Sequence, residues 1–212
     1  RSASVVELLE DRTLLSTITL AAGQLVFTGS PAVAEDLTVS VSGDVYEFIS
    51  TETITVSADD TGTAAGSGTN TVTIGLVAGD VQNIDLVMGD LDDTVTILST
   101  NDPLDSDGGG GGDTLTIDAG NNSLTHNITG LDQGDVTVGV LPAIAYVGIE
   151  TRGFTNVAVG GLALGISGGD GAPGADAYEL RRSPAGNLEV VIGVTVVVSQ
   201  PFGDVDSVSI TG

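Results

Sequence analysis

The feature that most constrains this chain is a short alternating unit, Thr-apolar-Thr-apolar after a glycine- or aspartate-rich turn, that returns along nearly its whole length. It is plainest over residues 108–117, GGGGGDTLTI, where a glycine run and one acid, Asp113, lead directly into a strand. Strict alternation is the strand pattern, because successive side chains on an extended chain point to opposite faces. The apolar residues that open these stretches are Ile18, Leu37, Ile54, Val72, Val95, Leu115, Val136, Val157 and Tyr178, with gaps of 17 to 23 residues and a mean of 20. A further strand over residues 194–198 continues the series. Self-similarity near 20 residues implies a solenoid in which each repeat is one coil.

A second strand is expected about ten residues after each first one, at 25–27, 45–49, 83–87, 124–128, 144–149, 162–166 and 188–192. The third side is turn-rich and variable, which accounts for the uneven gaps. The predicted fold is all-β: a right-handed parallel β-helix (β-solenoid) of about nine to ten coils, with ~20 residues per coil. At one strand spacing per coil, the rod is on the order of 45 Å long. A β-sandwich is the competing fold, but antiparallel strands do not require one strand type to recur in one register.

Residues 4–15 carry the helical pattern. Ser4 caps, Glu7 completes a capping box, and Val5, Leu8 and Leu9 share a face opposite Glu7, Glu10, Asp11 and Arg12. The expected organisation is therefore a helical cap or docking segment over 1–16 and a β-solenoid domain over 17–212.

Charge narrows the functions. The chain has no lysine; Arg1, Arg12, Arg152, Arg181 and Arg182 face 29 acids, for a formal charge of −24. Such a field repels nucleic acid and anionic membrane and attracts divalent cations, and it also keeps an elongated surface soluble. There is no cysteine, so no disulfide framework exists. No apolar run reaches the length of a membrane-spanning helix, so membrane insertion is not expected. The opening RSASVVELLEDRTLLS has no apolar core of a secretory signal. The expectation is a mature product, or export information upstream of Arg1.

The residues that could bind something are the corner acids. Asp93, Asp113, Asp135 and Asp176 take the same place in the 20-residue register, with Asp90 beside the first and Asp102, Asp105 and Asp107 in the next corner. Stacked carboxylates repel, which raises their pKa or recruits cations. Aspartate at a corner also has a plain use as an acceptor of turn N–H groups. The candidate ligands of a possible Ca²⁺ are thus Asp93, Asp113, Asp90, Asp135 and Asp176. No catalytic residue and no other cofactor is expected.

Enzymes on such a fold fare poorly. A lyase needs a base and cations for uronates, and here there is no lysine. Two-carboxylate glycoside hydrolysis is chemically open, but only 3% of residues are aromatic and none is Trp, so sugar-stacking platforms are scarce. His126 is the single histidine and cannot build a zinc site of the usual type. It is expected on the outward, solvated face. Arg181 and Arg182 are expected to pair with acids at a corner or on a neighbouring subunit. The sequons at Asn121 and Asn127 are taken as chance matches, and the glycine run leads into a strand rather than a phosphate-binding helix.

Three resemblances add to this. Residues 8–16, LLEDRTLLS, resemble the Leu-Glu-Pro-Arg N-terminal motif of very large exported planctomycete proteins, with Asp11 where proline is usual. Residues 108–116 resemble the GGxGxDxUx nonapeptide of RTX calcium-binding β-rolls at every fixed position. That resemblance implies oxygen ligands for Ca²⁺, although the next nine residues, IDAGNNSLT, keep only Gly120 and Leu124 and carry Asn122 in place of the acid. Residues 83–97 and 148–161 resemble the repeating coil of large secreted bacterial β-helix proteins. Together they imply a secreted or cell-surface origin. The expected function is an extracellular structural subunit of a filament, surface layer or matrix, partnered head-to-tail with itself. A calcium-dependent adhesin is the alternative, and a polysaccharide-degrading enzyme the third.

Overall fold

The computed structural model describes residues 15–59, 63–76, 81–158, 160–167, 178–192 and 195–211. The helix expected over 4–15 lies outside them but for Leu15, which has no regular structure, and Ser16 already begins a strand. Among the described residues there is no α-helix, only a one-turn 3-10 segment, Phe202–Asp204, amid nineteen strands hydrogen-bonded into one mixed sheet.

Two columns of parallel strands position everything else. The first stacks β2 (Gln24–Thr28), β7 (Asn83–Gly89), β9 (Leu104–Gly109) and β13 (Ile144–Val147), with Leu25, Ile84, Leu104 and Ile144 in register. The second stacks β3 (Asp36–Ser42), β8 (Thr94–Ile97), β10 (Thr114–Asp118), β14 (Thr151–Thr155) and β18 (Thr195–Pro201). There Leu37, Val95, Leu115, Arg152 and Val198 fall in one row. A third column holds β11 (Leu124–Ile128), β15 (Leu162–Ser167) and β19 (Val205–Thr211). Alternation delivers what it predicted within each strand: Leu115 and Ile117 of β10 are buried, and Thr114 and Thr116 between them are half-exposed.

The uniform parallel coil is where the sequence expectation fails. Parallel neighbours stand 20 residues apart only from Ile84 to Leu104 and from Val95 to Leu115. Elsewhere the steps run from 37 (Leu115 to Arg152) through 40 (Leu104 to Ile144) to 59 (Leu25 to Ile84). Antiparallel excursions fill the difference. β4 (Val45–Asp59) folds back on β3 and takes up β6 (Thr69–Gly75), which also pairs with the two-residue β5 (Ala64–Ala65). β12 (Gly134–Val138) runs antiparallel to both β11 and β13. β16 (Tyr178–Arg182), β17 (Asn187–Ile192) and β18 form an antiparallel meander. Ile54 and Val136 therefore lie on returning strands, β4 and β12, while Val72 lies on β6, which reverses again against β4, and Val157 lies in no strand. A returning strand has the same two-residue alternation and nearly the same length as an advancing one, so spacing alone does not reveal its direction.

The inward rows of Ile, Leu and Val make one continuous core. Near the β3–β4 hairpin Phe27 and Phe48 add a parallel-ring contact, centroids 6.5 Å apart. Tyr46 of β4 ties that hairpin to the corner after β8 by donating to Asp102 Oδ2 at 2.9 Å and accepting from the Asn101 N–H at 2.9 Å.

Candidate functional site

The corner between the two columns is where chemistry concentrates. Each second-column strand from β3 to β14 is immediately preceded by an acid: Glu35, Asp93, Asp113 and Glu150. They form a ladder. Asp113 donates its N–H to Glu150 Oε2 (2.7 Å), Asp93 its N–H to Asp113 Oδ1 (2.8 Å), and Glu35 its N–H to Asp93 Oδ1 (2.7 Å). The main chain continues the same stack, with the Thr94, Thr114 and Thr151 N–H groups donating to the carbonyls of Glu35, Asp93 and Asp113. Glu35 closes the series by accepting from the Ser30 N–H at 3.0 Å and from the hydroxyls of Ser16 and Ser50.

The glycine run serves this packing. Gly109 stacks on Gly89, and a Cβ there would sit 1.8 Å from the Gly89 carbonyl oxygen, at a φ of +85°. Gly111 is as confined, 2.5 Å from the Leu91 carbonyl. Backbone lies directly on backbone, which only glycine permits. The run also aims N–H groups at acids: Gly112 donates to Asp92 Oδ1 (2.9 Å) and Gly109 to Asp107 Oδ1 (3.0 Å).

Of the five candidate ligands, the structure brings Asp93 and Asp113 together, at 2% and 1% exposure. Asp90 is exposed on the corner below Gly110. Asp135 lies elsewhere, on β12, accepting from Asn127 Nδ2 at 2.9 Å, because β12 is a returning strand. Asp176 lies outside the described residues. The sequence register missed Glu35 and Glu150. The signal that would have found them is an acid directly before each second-column strand, once the steps of 58 and 37 residues replace a fixed 20. Among the described residues no group of three or more His, Asp or Glu side chains is arranged to hold a metal ion.

Burial pushes the Asp113 carboxyl up to about 6, opposed in part by the Asp93 N–H and reinforced by the charges of Asp93, Glu150 and Asp92. Asp93 moves up as well, first through burial, with Glu35 and Asp92 adding repulsion and the Glu35 N–H opposing. One oxygen of each, Asp93 Oδ2 and Asp113 Oδ2, is buried without a hydrogen-bond partner.

A second buried polar group was not foreseen. His126 is fully buried, which corrects the outward placement: residues 124, 126 and 128 share one parity, and Leu124 and Ile128 are both core. Its Nε2 is 2.7 Å from the Tyr146 hydroxyl, and its ring meets Phe154 edge-on at 4.9 Å. Arg152, in the row otherwise filled by Leu and Val, is 2% exposed. It donates Nη1 to the carbonyls of Leu131 and Ile149 and stacks its guanidinium 5.2 Å from the Tyr146 ring centre. Burial, then the Arg152 charge, lowers His126 to about 3, and burial raises Tyr146 to about 12. A neutral imidazole, a neutral phenol and a carbonyl-bound guanidinium make a structural clamp. No acid stands across the hydrogen bond from His126 to activate it.

At the surface, Arg181 pairs with Glu189 at 2.7 Å, directly opposite it on the adjacent strand rather than at a corner. Asn83 Nδ2 bridges Asp85 and Asp105 on the outward face of the first column.

No family model, curated protein or solved structure matches the chain.

Proposed function

We propose that this chain is an extracellular structural segment, a β-solenoid interrupted by hairpins, that assembles head-to-tail with copies of itself. The observation that carries the proposal is the disposition of strand edges. Among the described residues every strand from β1 (Ser16–Ala21) to β19 has at least two paired neighbours except β5, β16 and β19. β5 is two residues long, whereas β19 offers a seven-residue edge with Ile210 half-exposed. An unpaired edge of that length is a template for another strand. A contact between unlike ends does not close on itself, so it propagates. The polar interior supports a scaffold reading too, since its buried acids accept backbone N–H groups and its histidine is neutral and enclosed. Secretion or surface display follows from the resemblances and the acidic surface.

Negative-stain imaging of the full chain, with and without a chelator, tests this. End-to-end fibres or rods of several copies are expected in both samples, and Ile210→Lys, which sets a charge on the exposed side chain of that edge strand, should leave single particles. Single particles of the unaltered chain at every concentration would sink the assembly reading. Assembly lost only with chelator would favour the calcium-dependent binding module.

A further inference from the structure

We propose that the contact between copies is anchored by Arg182 and Phe202 at the C-terminal end of the stack, and that they dock on the acid-bearing opposite end of a second copy. This rests on the assembly reading and supplies its docking chemistry. The lines of strand pairing place the anchor. Hydrogen bonding passes from β13 through β12, β11 and β15 to β19, and from β14 through β18 and β17 to β16. Two successive strands of the chain thus lead to the two longer free edges, β16 and β19. Phe202, in the turn from β18 into β19, links those edges, because the Arg182 guanidinium lies 5.6 Å from its ring centre.

Two features of this end point to a partner. The first is an aromatic left in water. Of the four phenylalanines, Phe27, Phe48 and Phe154 are buried in the core, whereas Phe202 is 57% exposed. Leu180 on β16 and Ile210 on β19 are exposed as well. The second is an open cation. Among the described residues Arg152 is buried, which leaves Arg181 and Arg182 as the exposed positive charges. Arg181 is taken by Glu189, in the one salt bridge among the described residues, so Arg182 meets no carboxylate. An arginine stacked on an exposed aromatic, with aliphatic side chains on the same edges, has the composition of an interface hot spot.

Charge also names the occupant. Copies with a formal charge of −24 repel one another, so contact is favoured where an unpaired cation meets acids. At the other end of the stack, pairing runs from β7 through β2 and β1 to β4, and from β8 through β3 and β4 to β6. There Asp44, exposed in the turn before β4, and Glu47 and Glu52, half-buried on β4, are all acids. A like end would instead bring a second unpaired arginine to the contact. The unlike end is therefore the electrostatic match.

The test uses two variants of the full chain, each disabled at one end. Arg182→Glu reverses the cation and keeps the acids, while Asp44→Lys combined with Glu52→Lys reverses two acids and keeps the cation. Circular dichroism and urea midpoints equal to those of the unaltered chain would show both folded. In analytical ultracentrifugation at about 50 mM salt, where exposed charges are weakly screened, the unaltered chain should form rods of several copies. Each variant alone should stay single, and the two mixed should form pairs that stop at two, as the acid end of one docks on the Arg182 end of the other. Phe202→Ser should raise the protein concentration needed for assembly by about tenfold or more. Assembly of Arg182→Glu alone would overturn the anchor and leave the end-to-end reading to β19. Single copies in the mixture would overturn the acid end as the occupant, and single copies of the unaltered chain would sink both readings. Should a charge variant fail to fold, Phe202→Ser alters an exposed side chain and decides the anchor: assembly at an unchanged concentration would overturn it.

Discussion

The corner ladder and the His126–Tyr146–Arg152 clamp are both polar groups taken out of water, yet they answer to pH in opposite senses. Burial disfavours whichever form is charged. In the ladder that form is the carboxylate, so Asp113 moves up to about 6 and the corner gains from acid. In the clamp it is the imidazolium, so His126 moves down to about 3 and the clamp loses to acid. They differ in construction as well. The ladder repeats, one acid per second-column strand from β3 to β14, with Asp93, Asp113 and Glu150 each accepting the N–H of the acid that precedes a neighbouring strand. The clamp occurs once, where the β11–β12 hairpin interrupts the stack and leaves the carbonyls of Leu131 and Ile149 to be satisfied by a side chain. A repeating polar device shares its cost among neighbours, whereas a single one concentrates it.

The largest effect should come from breaking the clamp at its cation. Arg152→Ala leaves two inward carbonyls without their donor and a void beside Tyr146, and should cost about 3–5 kcal/mol in denaturant unfolding. A loss under about 1 kcal/mol would mean that the clamp is not what holds the hairpin on the stack.

Next is the pH response of the clamp. As pH falls, the unfolded chain protonates its histidine near 6.5 while the folded one resists until about 3, so stability supplied by His126 drains away between those values. The charged or titratable groups around it are Tyr146 and Arg152, and neither changes form in that window. His126→Phe should cost about 1–2 kcal/mol at neutral pH, through the lost Tyr146 partner, and should flatten the acid loss seen by urea denaturation. An acid slope unchanged by the substitution would refute this assignment.

The smallest effect belongs to the ladder. Asp93→Asn keeps an oxygen to accept the Glu35 N–H and removes one charge from the pair, so neutral-pH stability should move by about 0.5 kcal/mol or less. The same change should also lower the Asp113 titration midpoint, because the Asp93 charge is one of the influences raising it. A large destabilisation would show that the Asp93 charge itself supports the corner.

Much of this was legible beforehand, and unevenly so. Strands at 83–87, 124–128 and 162–166 match β7, β11 and β15 closely because alternation and glycine punctuation are local signals. The stacking of Asp93 with Asp113 was legible because the two lie one uninterrupted 20-residue parallel step apart. Asp135 was misplaced by the same fixed step, since the chain reverses between β11 and β12 before β14 resumes the column. Glu35 and Glu150 were overlooked for that reason too. Arg152 received no structural place from the sequence because nothing local marks one member of a core row for a guanidinium, and its partners are the carbonyls of Leu131 and Ile149, which any residue carries.

By itself, then, the sequence determined the material of this protein: short strands of fixed parity, glycines where backbones must touch, and the acids Asp93 and Asp113 at the heads of β8 and β10. These are consequences of steric and hydrogen-bonding rules that act over a few residues. Tertiary structure alone decided which strands advance and which return, which acids meet, and which polar side chains are sealed inside. Those outcomes depend on contacts between residues tens of positions apart, and a two-residue alternation carries no information about them.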